Sequence, residues 1–311
     1  MVARLCARQT SSWLLLILSN VLFASGYIAA KFLLQDLSVI IALALRIGIA
    51  AVILLPLLVA KRNALHLTRR DLPQLAHLIL AGFVLNNLFE YGGLALTTAS
   101  DVALLITSES IFTALLSYWL LREPFKRVTG MALALGSFGM YLIVEQGLVP
   151  NLPRGGGTLR ILGDLLVMVG LISESYYTVR GKALLTKHPA LLVTAVSLIG
   201  SLVFWVPVAS WQVLSSGWHP LNLASWLALG WLAVMSTALA YLAWFQGLTK
   251  IEGSKAASVL FLQPLVGTFL AVVLLHERLT VMTIVGGILI VLSVYLIGAL
   301  RAFSNGPEPP R

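Results

Sequence analysis

Ten continuous apolar stretches run through this chain, each close to twenty residues long and separated by short polar segments. A bilayer core needs roughly 20 apolar residues per helical crossing. Membrane strands would instead alternate apolar and polar residues with period two. These runs are unbroken, so helices are expected, because a helix satisfies its own backbone in lipid. The pattern predicts helices near 13–34, 38–60, 72–96, 99–121, 127–146, 160–181, 189–210, 221–248, 252–275 and 279–300. The expected fold class is an all-α integral membrane protein of about ten transmembrane helices, with no sizeable soluble domain left over.

Composition agrees. The chain is 59% hydrophobic and only 11% charged, with mean hydropathy +0.94. A soluble domain carries about 25% charged residues. The basic residues are unevenly placed. With the N-terminus in the cytoplasm, sixteen of the 21 Lys and Arg residues fall on cytoplasmic segments, including Lys61, Arg62, Arg69, Arg70, Arg122, Lys126 and Arg127. Lys31, Arg154, Arg160 and Arg278 fall outside, and Arg46 lies within a span. This asymmetry predicts ten spans with both termini cytoplasmic. It also reads the net charge of +9 as membrane anchoring rather than nucleic-acid binding. Cys6 is the single cysteine, which excludes an internal disulfide. The basic, apolar start imitates a signal peptide, but its apolar run continues to Leu34, long enough to span.

Sliding the chain along itself by 154 residues reveals a repeat. Gly93 meets Gly247, Ser100 meets Ser254, Ala103 meets Ala257, Glu123 meets Glu277 and Tyr141 meets Tyr295. One register holds across several helices. The expected division is a cytoplasmic N-terminus 1–12, a first five-helix repeat 13–146, an external linker 147–159, a second repeat 160–300 and a cytoplasmic tail 301–311. An odd number of spans inverts the second copy. Inverted repeats predict a carrier whose halves move around a midplane site.

Polar residues inside the spans mark that site, since a carboxylate at the bilayer centre costs about 2.5–3.5 kcal/mol on insertion scales. Glu109 lies about nine residues into the fourth helix, or about 14 Å deep. Ser110, Thr113 and Ser117 follow it as one polar stripe. Glu109 maps onto Gln263, which precedes Pro264, a residue that frees a backbone carbonyl. Glu174, flanked by Tyr176 and Tyr177, is a second buried acid. Asn86, Asn87 and Glu90 are expected to face a wet cavity, and their counterparts are Ala240, Tyr241 and Trp244. One wall is then anionic and the other aromatic, which suits a small solute carrying an amine. Arg46 reads as a structural charge, since an unpaired guanidinium is costly there; Glu109 is either its buried acid partner or hydrogen-bonded to Ser or Thr instead. The first, third, fourth, sixth, eighth and ninth helices are expected to line the cavity.

The segments ending in Arg122-Glu123-Pro124 and His276-Glu277-Arg278, each followed by a Gly-rich helix, resemble the EamA family of the drug/metabolite transporter superfamily. The resemblance spans nearly the whole chain. It implies a ten-helix inner-membrane carrier with a central cavity, whose members export amino acids and other metabolites or take up solutes such as vitamins. One departure stands out: the family commonly has a proline midway along the fourth helix, where this chain has Ser110. The reading is therefore a secondary transporter working by alternating access, most simply an exporter of amino acids or related metabolites. Its alternatives are export of drug-like organic cations and uptake of a vitamin or sugar-like solute; a channel or membrane-embedded enzyme is more distant. The expected partners are a small-molecule substrate and the lipid bilayer, with transport driven either by the solute gradient alone or by exchange with protons.

Enzyme signals are missing from the sequence. His276-Glu277-Arg278-Leu279-Thr280 lacks the second histidine of a zinc-protease helix. There is no phosphate-binding loop, and no cofactor is expected. A metal enzyme would require His66, His77 and Asp71 to converge.

Overall fold

The computed structural model describes residues 2–34, 36–61, 68–94, 96, 99–147, 158–217, 220–275 and 281–304. Among these residues the chain forms ten long helices. They are α1 (Val2–Leu33), α2 (Val39–Ala60), α3 (72–94), α4 (Ala99–Leu121), α5 (Arg127–Gly147), α6 (Thr158–Leu184), α7 (Ala190–Ser216), α8 (Leu223–Leu248), α9 (253–275) and α10 (Val281–Ser304). Most ends fall within a few residues of the expected ones. The N-terminus differs: the segment 2–12 continues α1 as helix instead of preceding it. Within the described residues, α2, α3, α6, α7 and α8 each hold a stretch long and apolar enough to cross a membrane, and α1 and α10 hold shorter ones. Their outer faces expose apolar side chains such as Val52, Leu162, Val203, Leu227 and Ile288. Trp119, Trp211 and Trp226 are exposed near helix ends, the level of the lipid headgroups.

Packing follows the repeat. The broad contacts pair α5 with α10, α2 with α7, α3 with α6 and α1 with α8, so helices cross between halves in two-fold fashion. At the α5–α10 contact, a methyl group placed on Gly139 would come within 2.7 Å of the Gly286 carbonyl oxygen. The Ser293 hydroxyl donates to the Ala132 carbonyl at 2.7 Å. A shift of 154 carries Gly139 to Ser293 and Ala132 to Gly286. The contact is self-complementary, as a two-fold axis requires. Small residues let these backbones approach, which in lipid replaces the hydrophobic effect as the driving force.

The same relation explains the Gly93–Gly247 match. A Cβ on Gly93 would lie 2.6 Å from the Gly163 carbonyl of α6, and one on Gly247 would lie 2.7 Å from Leu16 of α1. The loops repeat as well. The Asp71 carboxylate accepts from the Thr68 backbone N–H (2.9 Å) and hydroxyl (2.6 Å), and lies 3.4 Å from His188 Nε2. Displaced by 154, Thr68 and Asp71 become Asn222 and Ser225. There the Ser225 N–H caps on Asn222 Oδ1 (2.8 Å) and its hydroxyl donates to Asp36 (2.6 Å). Each half therefore pins its first hairpin to a helix start of the other half. Asp71 pairs with His188 rather than with His77, and His66 lies outside the described residues.

Three backbone irregularities were not foreseen. Both α3 and α8 widen into π-helical turns, at Ile79–Leu85 and Leu232–Leu239, which coincide on the 154-residue shift. Such turns displace the backbone pairing by one residue and concentrate at functional sites. α9 tightens into a 3-10 turn at Ala257–Phe261, just before Pro264. Proline removes one donor and crowds the carbonyl four residues back, here Leu260. α4, with Ser110 in that place, stays regular.

Candidate functional site

The two π-helical turns flank a central cavity. Counting the open space at its mouth, it spans about 880 Å³. Phe23 and Gly26 of α1, Arg46 of α2, Asn86, Asn87, Glu90 and Tyr91 of α3, and Glu109 of α4 line it. Glu174 and Thr178 of α6, Ser236, Thr237, Tyr241 and Trp244 of α8, and Leu260 and Gln263 of α9 complete the wall. The six expected helices contribute, and α2 joins them through Arg46. Glu90, Tyr91 and Ile106 are partly accessible, whereas Thr178, Trp244, Leu260 and Gln263 are buried. The cavity thus opens toward the end where α3 finishes and α4 starts, and is closed below Trp244.

Close helix approach shapes this space. A Cβ on Gly82 would overlap the Tyr177 ring, and one on Gly26 would overlap the Ser236 hydroxyl. Gly82 and Ser236 are repeat partners, both within the widened turns. Small residues at these places bring α6 onto α3 and α1 onto α8. Gly170 of α6 likewise sits against the α3 backbone, where an added Cβ would lie 3.1 Å from Asn86 O, and Asn86 Nδ2 reaches both Gly170 O and Glu90 Oε2 at 3.3 Å.

The three carboxyls hold different partners. Glu90 accepts from Asn86. Glu174 Oε1 accepts from the Tyr241 hydroxyl at 3.4 Å, and Glu174 Oε2 is buried with no hydrogen-bond partner. At Glu109 the bond formed is to the main chain: Ser175 Oγ donates to its carbonyl at 3.2 Å. Arg46 Nη2 donates to Asn87 Oδ1 at 3.1 Å, while Nε has no partner. Arg46 takes part in none of the ion pairs among the described residues. The expected pairing of Arg46 with a buried acid is therefore not what the structure shows; a neutral amide holds it in the cavity wall.

On the facing side, Trp244 Nε1 donates to Thr178 Oγ1 at 3.3 Å. Tyr241 packs on Phe23 and Phe83, with ring centroids 5.0 Å away in each case. Gln263 Nε2 donates to Asn20 Oδ1 at 3.0 Å, and Asn20 is anchored to the Leu16 carbonyl at 2.7 Å. The wall is polar and acidic on α3, α4 and α6, and aromatic on α8 and α1.

Three expected site residues lie elsewhere. Tyr177 is fully buried behind the wall, against Gly82, Phe83 and Phe245, because its ring fills the gap left by the glycine. Thr113 is fully buried between α4 and α6, with Oγ1 donating to Ser175 Oγ at 3.1 Å. Ser110 is buried one residue past Glu109, off the cavity-facing edge of α4. A helix turns about 100° per residue, so neighbours in sequence diverge in direction. Thr178, Ser236, Thr237 and Tyr91 were missed. The i, i+4 spacing from Glu174 marked Thr178, and the repeat partner Gly82 marked Ser236.

Comparisons with known proteins place this architecture. The sequence profile of the EamA-like transporter family matches residues 10–145 and 161–299, one match per half. An uncharacterized transporter of Archaeoglobus fulgidus is 28% identical over 291 residues, covering 93% of this chain and 97% of its own. The uncharacterized transporter YetK of Bacillus subtilis is 26% identical, covering 88% of this chain and 82% of its own. An S-adenosylmethionine/S-adenosylhomocysteine transporter of Chlamydia muridarum is 23% identical, covering 85% of this chain and 84% of its own. A crystal structure of 17% identity superposes with TM-score 0.79, covering 94% of this chain and 99% of the other, a likeness of fold. This chain, with its two matching halves around a central cavity, is a membrane transporter belonging to the EamA-like transporter family.

Proposed function

We propose that the chain exports an amino acid or a related amine-bearing metabolite across an inner membrane by alternating access. The carrying observation is the wall itself, with Glu90, Glu109 and Glu174 on one side and Tyr241 and Trp244 on the other. Carboxylates receive an ammonium group, and aromatic faces receive either an apolar side chain or a cation. The Chlamydia muridarum relative supports the class, since S-adenosylmethionine is itself an amino-acid derivative. In this reading both termini are cytoplasmic, the repeats span 13–146 and 160–300, and the cavity faces outward. Rocking of the halves closes the mouth near Glu90 and opens the side below Trp244. Glu109 and Glu174 carry protons if export is exchanged for proton entry.

The test is efflux from proteoliposomes loaded with an isotopically labelled amino-acid mixture, with and without a pH gradient. Selective release of a few amino acids above protein-free vesicles is the expected result. No release from folded protein would remove amino acids from the reading. A second reading, export of organic cations, draws on Phe23, Tyr241 and Trp244, which line the cavity opposite the acids. It predicts release of aromatic amines instead.

A further inference from the structure

We infer that Arg46 receives the carboxylate of a dipolar substrate, so that the cavity selects an ion bearing both amine and carboxylate over the corresponding simple amine. This rests on the amine-carrier reading above and adds a second pole that the solute must supply.

A guanidinium within a membrane protein ordinarily pairs with an acid. Three acids line this cavity, yet Arg46 takes none of them in an ion pair. It is held by the neutral Asn87 Oδ1 at 3.1 Å, its Nε is buried without a protein acceptor, and the residue lines the cavity. An amide fixes the guanidinium without an ion pair, and Glu90 balances its charge only from a distance. Asn87 is itself fixed. It is 3% exposed, and its Nδ2 donates to the Phe83 carbonyl at 3.2 Å, inside the π-helical turn of α3. The same carbonyl accepts from Trp205 Nε1 at 2.7 Å. The widened turn, Trp205 and Asn87 together set the arginine before any ligand arrives, which is the condition for a specific site.

A planar guanidinium with five donors matches a carboxylate in shape and charge. From other helices, the carboxyls of Glu109 and Glu174, both lining the cavity, offer acceptors to an ammonium group. A dipolar ion satisfies both ends. A simple amine satisfies the acids and leaves Arg46 unmet, and a site built for a polar group rejects analogues that lack it.

The experiment uses full-length protein in proteoliposomes loaded with two equimolar pairs: L-phenylalanine with phenethylamine, and L-lysine with cadaverine. Release is followed by mass spectrometry after subtraction of protein-free vesicles. The wild type is expected to release the amino acid over its amine by roughly 10- to 100-fold in at least one pair, the scale of one charge-assisted hydrogen bond. Arg46→Gln is expected to bring that ratio toward one, and Arg46→Lys to retain part of it. Asn87→Asp, which supplies an internal carboxylate to Arg46, is a second route to the same loss should Arg46→Gln fold poorly. Amines leaving wild-type vesicles as fast as amino acids would overturn the inference while the amine-carrier reading stood. An unchanged ratio in folded Arg46→Gln would also overturn it. If no compound moves, the amine-carrier reading falls and takes this inference with it.

Discussion

Lys182 Nζ lies 2.6 Å from Glu123 Oε1, joining the end of α6 to the segment that follows α4. The other oxygen, Glu123 Oε2, accepts from the Ser254 N–H at the start of α9 (3.1 Å), and Lys182 also donates to the Ile251 carbonyl. One carboxylate thus ties three segments together on the side where the cavity is closed. Local geometry puts it there: Arg122 adopts the left-handed conformation (φ 55°) that ends α4, and Pro124 prevents continuation.

Breaking this tie leaves a partly buried ammonium without its partner. Glu123→Gln is therefore expected to destabilise the closed side by about 3 kcal/mol, the scale of a broken buried pair. The measurement is labelling of a cysteine introduced at Leu260, in a Cys6→Ser background, by a reagent added from the α9-start side. Labelling should rise in Glu123→Gln. In Glu123→Gln/Lys182→Met it should rise as well, while thermal stability recovers part of the loss. Unchanged labelling in both variants would show that the pair does not close the cavity.

Adjacent glycines on α3 should behave oppositely. A Cβ on Gly93 meets the Gly163 carbonyl at 2.6 Å, whereas one on Gly92 meets nothing within 4 Å. Gly93→Ala should lower the thermal midpoint in detergent, by about 1–3 kcal/mol of overpacking. Gly92→Ala should be neutral or raise stability by up to about 1 kcal/mol through helix propensity. Equal effects would remove close α3–α6 approach as the reason for Gly93.

The loop clamp at Asp71 has a defined pH window. Its hydrogen bonds from the Thr68 hydroxyl and N–H, followed by the nearby His188, hold its carboxyl down at about 2, below the ordinary 3.8. A depressed folded-state pKa adds stability that is complete above the ordinary value and lost as pH falls through 3.8 toward 2. Asp71→Asn should therefore be less stable than wild type at pH 5 to 7, with the gap shrinking below about pH 4 and gone near pH 2. A gap that stays constant down to pH 2 would refute a role for the ionised carboxylate.

Among the cavity acids, Glu174 keeps one oxygen without a partner and Glu109 has no side-chain hydrogen bond in the described structure. Glu109→Gln and Glu174→Gln are each expected to slow efflux at least tenfold, roughly one lost charge-assisted bond, and to flatten its dependence on an imposed pH gradient. If both variants export normally and respond to the gradient as the wild type does, proton coupling through these acids is excluded.

Much of this protein was legible along the chain. Ten helices, their near boundaries and the inverted halves follow from run length and a single 154-residue shift. In a bilayer the backbone must satisfy itself within each helix, so local sequence fixes the elements. The shift also located Glu109 against Gln263 and Gly93 against Gly247, and structure supplied the reason for the glycines. Ser110 and Pro264 mark one difference between the halves that the sequence shows, but the tightening of α9 before Pro264, absent from α4, emerged only in the structure.

What sequence alone could not decide was which way each polar group points and whom it meets. Asn87 and Arg46 stand 41 residues apart, and their hydrogen bond depends on how α2 lies against α3. Tyr177 sits beside Tyr176 and three residues from Glu174, yet it turns into the gap that Gly82 opens. The π-helical turns rotate Asn86, Asn87 and Tyr241 relative to a regular helix, and such turns reflect packing between helices more than propensity within one. Sequence determined the helices and their two-fold kinship, because those are set by local chemistry in lipid. Tertiary structure determined the cavity wall, because it is made by side chains from seven helices meeting across distances that no single segment encodes.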